Sequence, residues 1–147
     1  MKNSVISPCA LNQAIVLIKQ FEGCSLKAYL CPSNVWTIGY GHTKNVKKND
    51  VITEKVAEEL LKEDIFELLN VLDSVKVPLK DNQKVALISF IFNVGKSNFL
   101  RSTLLKKLNK SDFLGASFEF DKWVYSKGKV LKGLQNRRLK EKKIFLS

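Results

Sequence analysis

The chain is poor in the residue types that build metal and cofactor sites. Its 147 residues contain one histidine, His42, and three cysteines, Cys9, Cys24 and Cys31. One histidine and scattered cysteines lack the ligand spacing of a zinc site, and no phosphate-binding glycine loop is present, so we expect neither metal nor cofactor. An odd number of cysteines argues against a disulfide framework and favours synthesis in a reducing cytoplasm.

Long hydrophobic runs near the N-terminus are also lacking. The apolar run at residues 14–18 is too short to span a membrane, and no signal-peptide cleavage pattern accompanies it. We therefore expect no signal peptide and no membrane span. The chain shows no internal repeat, low-complexity tract or linker. Its length suits one domain, residues 1–147, built as two small lobes that share a helix.

Negative charge is scarce, with 14 Asp and Glu against 25 Lys and Arg and a net charge of +11. This balance favours weak attraction to an anionic surface such as a cell wall, acidic lipid or nucleic acid, although solubility alone would also account for it. Acids are rarest near the N-terminus, where Glu22 is the only Asp or Glu before Asp50. A carboxyl group isolated among neutral residues is a candidate proton donor.

Residues 21–43 read FEGCSLKAYLCPSNVWTIGYGHT. They contain the single histidine, two of the three cysteines and the isolated acid Glu22. Ser7-Pro8 is typical of a helix start, and apolar residues follow at helical spacing up to position 21. Gly23 fits the residue after a helix end. Glu22 is thus predicted in the last turn, where the negative end of the helix dipole favours a protonated carboxyl group.

A β-hairpin is predicted after this helix. Residues 27–30 and 36–40 are typical of two short strands, and Pro32-Ser33-Asn34 between them is a turn signal. Asn34 tolerates a positive φ better than most residues. Such a hairpin brings Cys31 and Thr37 close together and can place them opposite Glu22.

The spacing of Glu22, Cys31 and Thr37 resembles the catalytic signature of the phage-type lysozymes, glycoside hydrolase family 24. That signature is Glu, eight residues, Asp or Cys, five residues, Thr, and the chain matches both gaps. The resemblance is greatest to the lambdoid-phage endolysin branch. It continues through later blocks at residues 86–95, 102–104, 123–124, 128–134 and 137–138.

The resemblance implies an α+β, lysozyme-like fold. A small N-terminal lobe with the β-hairpin is joined by a long helix to a helical C-terminal lobe, with a cleft between the lobes. The implied function is that of an endolysin, a muramidase hydrolysing the β-1,4 bond between N-acetylmuramic acid and N-acetylglucosamine in peptidoglycan. The alternative is a non-catalytic cationic protein on the same fold that binds cell wall, lipid or nucleic acid.

The resemblance also implies how such a protein reaches its substrate. It is made in the host cytoplasm, is released with the help of a holin, and acts on the periplasmic cell wall. We expect a monomer whose partner is peptidoglycan, with weak attraction to anionic surfaces and no specific nucleic-acid partner.

Three residues receive catalytic roles from the resemblance. Glu22 protonates the leaving oxygen. Cys31 stands where many relatives carry Asp, and it either positions or activates water or attacks the anomeric carbon. Thr37 hydrogen-bonds the attacking water. Without the motif these residues would be a surface carboxylate, a small buried apolar side chain and a β-branched strand residue.

Five further residues match supporting positions of the family. His42 is expected to pair with Asp64 and to lock the hairpin onto the long helix. Arg137 corresponds to an arginine that approaches the catalytic glutamate, although it could also be a solvated charge. Phe92 and Thr103 match residues that line the cleft, and Phe92 could equally belong to the core.

The remaining elements follow from hydrophobic periodicity and capping signals. Residues 44–50 are predicted as a loop or a third, edge strand, and Thr53 as the cap of a long helix reaching residue 72. Asp81 is predicted to cap a buried helix that Gly95 ends. A short helix at 102–108, a helix capped by Ser111 or Asp112 and running to about residue 123, a loop at 126–129 and a basic helix at 134–145 complete the chain. The basic helix could lie on an anionic surface, although a solvated face is favoured.

Overall fold

The computed structural model describes residues 2–147 of the chain, which are mostly helical with two small β-hairpins. In order, the elements are α1 (Pro8–Glu22), β1 (Ser25–Leu30), β2 (Trp36–Gly39), α2 (Glu54–Leu69), α3 (Asp81–Val94), α4 (Lys96–Leu100), α5 (Thr103–Asn109), α6 (Phe113–Glu119), β3 (Tyr125–Ser126), β4 (Lys129–Val130) and α7 (Lys132–Leu146). Short 3-10 helices follow α2, at Asn70–Ser74, and α6, at Phe120–Lys122.

The chain divides into two compact units. The small unit is Ile15–Glu67, and the large unit combines Met1–Ala14 with Leu68–Ser147. The small unit holds the β1–β2 hairpin, whereas the core of the large unit is helical. That the whole chain forms a single domain with a cleft between two lobes stays a prediction.

Helix α1 begins and ends where its sequence signals predict. The Ser7 hydroxyl oxygen accepts a hydrogen bond from the backbone N–H of Ala10 at 3.1 Å and satisfies one donor of the first turn. At the other end, Gly23 has φ +66°, a left-handed conformation that ends helices and that glycine adopts without strain. Glu22 is therefore the last helical residue.

The hairpin of the small unit is antiparallel, with Tyr29 opposite Thr37. Its turn closes through two backbone hydrogen bonds, from Cys31 N to the Val35 oxygen at 3.0 Å and from Asn34 N to the Cys31 oxygen at 2.9 Å. Asn34 has φ +61°, as its position in the turn predicts. The sequence thus fixes Cys31 at the end of β1, at the base of the turn.

The predicted third strand is present only in part. Residues 44–45 and 48–49 form turns, so most of the segment 44–50 is loop. Pairing with β1 begins at its end, where Ala28 N donates to the Asp50 oxygen and Ile52 N donates to the Leu26 oxygen, both at 2.9 Å. Residues 50–52 are therefore the edge of this sheet.

Helix α2 begins as predicted and ends earlier. The Thr53 hydroxyl oxygen accepts from the Val56 backbone N–H at 3.2 Å. The α-helix stops at Leu69, and a 3-10 helix carries the apolar residues Val71 and Leu72 into the core of the large unit. The spacing of apolar residues cannot distinguish an α-helix from a short 3-10 helix that follows it, because both bury one face.

Helix α3 is the centre of the large unit, and residues 83–91 are buried all round. The ring of Phe90 meets those of Phe99, Phe120 and Trp123 edge to face, at centroid distances between 5.1 and 6.4 Å. Gly95 ends the helix as predicted. This aromatic cluster joins α3 to the segments that follow it.

Two predictions for the large unit are wrong in detail. Asp81 is the first residue of α3 rather than its cap, and its carboxylate accepts instead from the Ser7 hydroxyl at 3.0 Å. The backbone N–H of the capping residue Lys80 donates to the side-chain oxygen of Gln83 at 2.8 Å. The predicted loop at residues 126–129 is the turn of the β3–β4 hairpin.

Candidate active site

Cys31 and Thr37 lie together in the small unit because the hairpin register brings the end of β1 beside β2. Cys31 is half-buried at the base of the turn, and Thr37 is buried in β2. The Thr37 hydroxyl donates to the Val35 carbonyl oxygen, whose residue closes the turn onto Cys31. The hairpin therefore unites the two residues that the sequence signature pairs.

The Cys31 thiol sits among hydrogen-bond donors. Backbone N–H groups of Val35 and then Ser33 point to the sulfur and hold the pKa of the Cys31 thiol below its usual range. Partial burial opposes this lowering and is outweighed. The turn thus stabilises the thiolate, which is the nucleophilic and basic form of cysteine.

The Thr37 hydroxyl proton is already used. Its Oγ1 donates to the Val35 carbonyl oxygen at 3.0 Å. A hydroxyl has one proton and two acceptor lone pairs, so Thr37 retains acceptor capacity. It can therefore accept a hydrogen bond from a water molecule and orient that water.

Glu22 is half-buried at the C-terminal end of α1 and belongs to the same unit as Cys31 and Thr37. The exposed residues Gly23 and Cys24 connect it directly to β1. Only two residues thus separate the helix end from the first strand of the hairpin. The predicted position of Glu22 opposite Cys31 and Thr37 stays a prediction.

The predicted contact between His42 and Asp64 is confirmed. His42 Nδ1 lies 2.8 Å from one carboxylate oxygen of Asp64 and 3.0 Å from the other, and its Nε2 lies 3.0 Å from the Lys44 carbonyl oxygen. Burial raises the pKa of the Asp64 carboxyl, and the hydrogen bond and charge of His42 oppose the rise without cancelling it. The pair ties the segment after β2 to α2.

The His42–Asp64 pair lines an open cavity of about 520 Å³ in the small unit. Its walls combine apolar residues such as Val46 and Leu60 with the exposed ion pair of Lys44 and Glu67. Neither Glu22 nor Cys31 lines this cavity. The arrangement therefore favours a structural role for His42 over a catalytic one.

The remaining predicted residues belong to the large unit. Phe92 is half-buried near the end of α3, unlike the fully buried residues before it, and Thr103 is exposed as the first residue of α5. Arg137 is 3% exposed, so the interpretation as a solvated charge is wrong. The substrate-lining roles of these residues stay predictions.

Arg137 belongs to a buried cluster centred on Glu141. One Glu141 oxygen accepts from the Ser89 hydroxyl at 2.5 Å and from Arg137 Nε at 3.3 Å, and the other lies 2.8 Å from Arg138 Nε. Arg138 also donates to the Asn93 side-chain oxygen at 2.9 Å. Burial raises the pKa of the Glu141 carboxyl, whereas Arg138, Ser89 and Arg137 act to lower it.

Sequence reasoning missed Glu141 and Ser89. The signal was present, since Glu141 follows Arg137 by four residues and Arg138 by three, the spacings at which helical side chains meet. The uniform basic character of residues 134–145 hid it. The cluster is a polar network at the contact between α3 and α7.

Two features are absent from residues 2–147. No group of three or more His, Cys, Asp or Glu side chains in this part of the chain is arranged to hold a metal ion. None of the helices described is long and apolar enough to cross a membrane.

Comparisons with known proteins point to one family. The family model described as phage lysozyme matches residues 19–141. The endolysin of Acyrthosiphon pisum secondary endosymbiont phage 1 is 50% identical over 142 residues, which cover 92% of this chain and 96% of that relative. The endolysin of Bacillus phage PZA is 44% identical, and the match covers only 53% of its length.

Solved structures agree with this grouping. The muramidase domain of SpmX from Asticaccaulis excentricus superposes with a TM-score of 0.87 at 34% identity, covering 97% of this chain and 98% of that one. A mutant of P22 lysozyme gives a TM-score of 0.78 at 37% identity, covering 100% and 99%. The lysozyme-like fold predicted from the sequence is confirmed.

The family match extends over both the signature residues and the later blocks that carried the sequence resemblance. It favours an enzyme and does not favour the alternative of a non-catalytic cationic protein. The chain belongs to the phage lysozyme family and is a glycoside hydrolase, a muramidase of the endolysin type that acts on peptidoglycan.

Proposed function

We propose that Glu22, Cys31 and Thr37 catalyse hydrolysis of the β-1,4 bond between N-acetylmuramic acid and N-acetylglucosamine, and that this reaction lyses the bacterial host. The observation that carries the proposal is the environment of the Cys31 sulfur. Backbone N–H groups of the turn lower the pKa of its thiol, and Thr37 lies on the adjacent strand of the same hairpin. A merely structural cysteine needs no such stabilisation of its thiolate.

In the first step Glu22 gives its proton to the glycosidic oxygen, so that the leaving sugar departs as an alcohol. Positive charge then develops at the anomeric carbon. The donor is half-buried as the last residue of α1, two residues before the hairpin that carries Cys31 and Thr37.

The second step has two versions. In the first, the Cys31 thiolate accepts a proton from water while Thr37 accepts the other water proton as a hydrogen bond, and the water oxygen bonds to the anomeric carbon with inversion. In the second, the sulfur attacks the carbon itself, and water later displaces it with overall retention. The Thr37 hydroxyl can play the same part in both, because its own proton is held by Val35.

The experiment that tests this proposal reads the anomeric configuration of the first product by NMR, with purified protein acting on peptidoglycan. Inversion identifies water activation, and retention identifies a covalent intermediate. Wild type and Cys31→Asp are compared in the same assay. Absence of a new reducing end at N-acetylmuramic acid in the wild-type reaction would refute the proposed bond specificity.

The setting of this reaction is also part of the proposal. The protein acts as a monomer, is made in the host cytoplasm and reaches the wall after a holin opens the inner membrane. Peptidoglycan is its specific partner, and nucleic acid is not. A test is lysis from within, in which expression of the chain with and without a holin should lyse the host only when the holin is present.

A further inference from the structure

Positive charge is concentrated in one unit of the molecule. The large unit carries 18 Lys and Arg against 6 Asp and Glu, whereas the small unit carries 7 against 8. The excess of positive charge is therefore absent from the unit that holds Glu22, Cys31 and Thr37. It needs a separate explanation from catalysis.

Helix α7 does not provide a continuous basic face, despite its sequence. Arg137 and Arg138 are buried and bound to Glu141. Lys142 is paired with Asp121 at 2.8 Å and is only 20% exposed at its side chain. Much of the positive charge of this helix is thus neutralised or turned inward.

The basic residues of the β3–β4 hairpin, unlike Arg137, Arg138 and Lys142 of α7, are neither buried nor paired with a carboxylate of residues 2–147. Every residue from 125 to 133 is exposed, and no Asp or Glu occurs between Asp121 and Glu141. In the described chain, Lys127, Lys129 and Lys132 form no ion pair with a carboxylate. Positive charge on this hairpin is therefore available to an outside partner.

Exposed apolar side chains accompany these lysines. Tyr125 pairs directly across the hairpin with Val130, so the two side chains share one face, and they are 61% and 46% exposed. The next residue, Leu131, is 45% exposed. A tyrosine and aliphatic residues bordered by lysines are typical of segments that lie at the interface of a bilayer.

The turn of this hairpin carries a lysine where its backbone geometry does not favour one. Lys127 has φ +50° and Gly128 has φ +78°, the pattern of a type I′ turn. The first of these positions favours Asn, Asp or Gly, because a long side chain is strained at positive φ. The strain is explained if the Lys127 side chain serves a binding function at the tip.

We propose that the β3–β4 hairpin, together with Leu131 and the first residue of α7, Lys132, docks the protein on anionic lipid bilayers. Lys127, Lys129 and Lys132 contact acidic headgroups, while Tyr125 and Val130 enter the interfacial layer. The lysines are complementary in charge to such a bilayer. The exposed apolar side chains add contact with its interfacial layer, which a partner that binds through charge alone would not use. Docking is independent of the hydrolytic residues proposed above.

The test is sedimentation of the full chain with vesicles of phosphatidylcholine that contain about 30% phosphatidylglycerol, at about 0.1 M salt. Lys127→Gln/Lys129→Gln should weaken partitioning by about 30-fold, since each lysine near an anionic surface adds roughly tenfold or less. Tyr125→Ser/Val130→Ser should weaken it by about tenfold. Vesicles of phosphatidylcholine alone should bind little wild-type protein.

The matched control is Lys106→Gln/Lys110→Gln, which removes the same charge from exposed positions on and beside α5. It should change partitioning by less than about twofold. Equal losses in the two double variants would overturn the proposal, because net charge alone would then explain binding. Binding to duplex DNA but not to anionic vesicles, with the same lysine dependence, would overturn it in favour of a different partner.

Two further measurements keep the outcome independent of folding and of catalysis. Lys127→Gly relieves the strained φ, so it should fold at least as well as wild type and still weaken partitioning by about fivefold. Hydrolysis of lipid-free cell-wall sacculi at about 0.5 M salt, where attraction to the wall is screened, should be unchanged in all hairpin variants. Unaltered vesicle binding by Lys127→Gly together with Lys127→Gln/Lys129→Gln would contradict the assignment to this hairpin.

Discussion

The two units of the molecule use charge in opposite ways. The small unit, nearly neutral with 7 basic and 8 acidic residues, places a thiol, a hydroxyl and a carboxyl group on one helix end and one hairpin. The large unit holds the excess of positive charge, and two of its arginines, Arg137 and Arg138, are buried. The net charge of +11 therefore says little about the hydrolytic chemistry of the chain.

The units also differ in how they hold their main ion pair. His42–Asp64 in the small unit keeps a carboxylate that is 22% exposed at its side chain, whereas Glu141 in the large unit is fully buried and serves two arginines. A buried carboxylate without partners would be costly, so the second cluster depends on every member. Variants in the two units should consequently fail in different ways.

The largest expected effect is on turnover, from a change in the small unit. Glu22→Gln should fold normally and lose about 10² to 10⁴-fold in the rate of peptidoglycan hydrolysis, because an amide cannot protonate the leaving oxygen. Glu59→Gln, an exposed residue of α2, is the matched control and should keep the wild-type rate. Similar rates for both variants would show that another group is the acid.

The largest expected loss of stability lies in the large unit. Glu141→Gln should reduce the free energy of unfolding by about 3–5 kcal/mol, because it removes the buried charge that Arg137 and Arg138 both contact. Glu67→Gln breaks the exposed pair with Lys44 and should cost at most about 1 kcal/mol. Urea unfolding measures the free energy of unfolding of both variants. Equal losses would show that the buried and the exposed ion pairs contribute equally to stability.

Opposite pH dependences should distinguish one carboxylate in each unit. Burial would raise the pKa of Glu119, but Lys107 and Lys122, at 2.8 Å each, hold it below its usual range. The stability it contributes is present above its unfolded pKa and is lost as the pH falls through the folded pKa. Thermal melts should therefore show Glu119→Gln losing more relative to wild type at about pH 5.5 than at about pH 3.

Asp64 should behave in the reverse sense. Its folded pKa is raised, so the folded state binds the proton more tightly than the unfolded chain, and its contribution to stability declines as the pH rises through this range. The deficit of Asp64→Asn should thus be smaller at about pH 5.5 than at about pH 3. A deficit that grows with pH, as for Glu119→Gln, would show that the pair with His42 outweighs burial.

The smallest expected effect is that of salt on hydrolysis. Attraction of the large unit to an anionic wall should weaken as ionic strength rises from about 0.05 to 0.5 M, because screening shortens the reach of exposed charge. The rate on cell walls should then fall by less than about tenfold, without a change in melting temperature. A rate that does not change with salt would show that the positive charge does not contribute to hydrolysis of the wall and serves solubility.

Much of the small unit could be predicted because its signals are local. Ser7-Pro8, Gly23 and Asn34 each satisfy a backbone requirement that few residues meet, and they fix α1 and the hairpin turn. The contact of His42 with Asp64 followed from the family resemblance rather than from such a signal. The sequence therefore predicted both the elements and the paired residues of this unit.

The large unit was predicted less well because its decisive contacts are between distant residues. Ser89 and Glu141 are 52 positions apart, and only the packing of α3 against α7 brings them together. The charge of residues 134–145 suggested solvent exposure, although Arg138 is fully buried. The β3–β4 hairpin was also not predicted, because Lys127 is not a residue that signals a type I′ turn.

The most direct test of the central claim concerns the Cys31 sulfur. The rate of peptidoglycan hydrolysis is measured before and after a thiol-alkylating reagent, in Cys9→Ser/Cys24→Ser, where Cys31 is the only thiol, and in Cys31→Asp with the other cysteines kept. We expect the first protein to be active and to be inactivated by the reagent, and the second to be active and insensitive to it. Cys31→Ala should lose much of its activity. Full turnover by protein whose Cys31 is quantitatively alkylated would contradict the account.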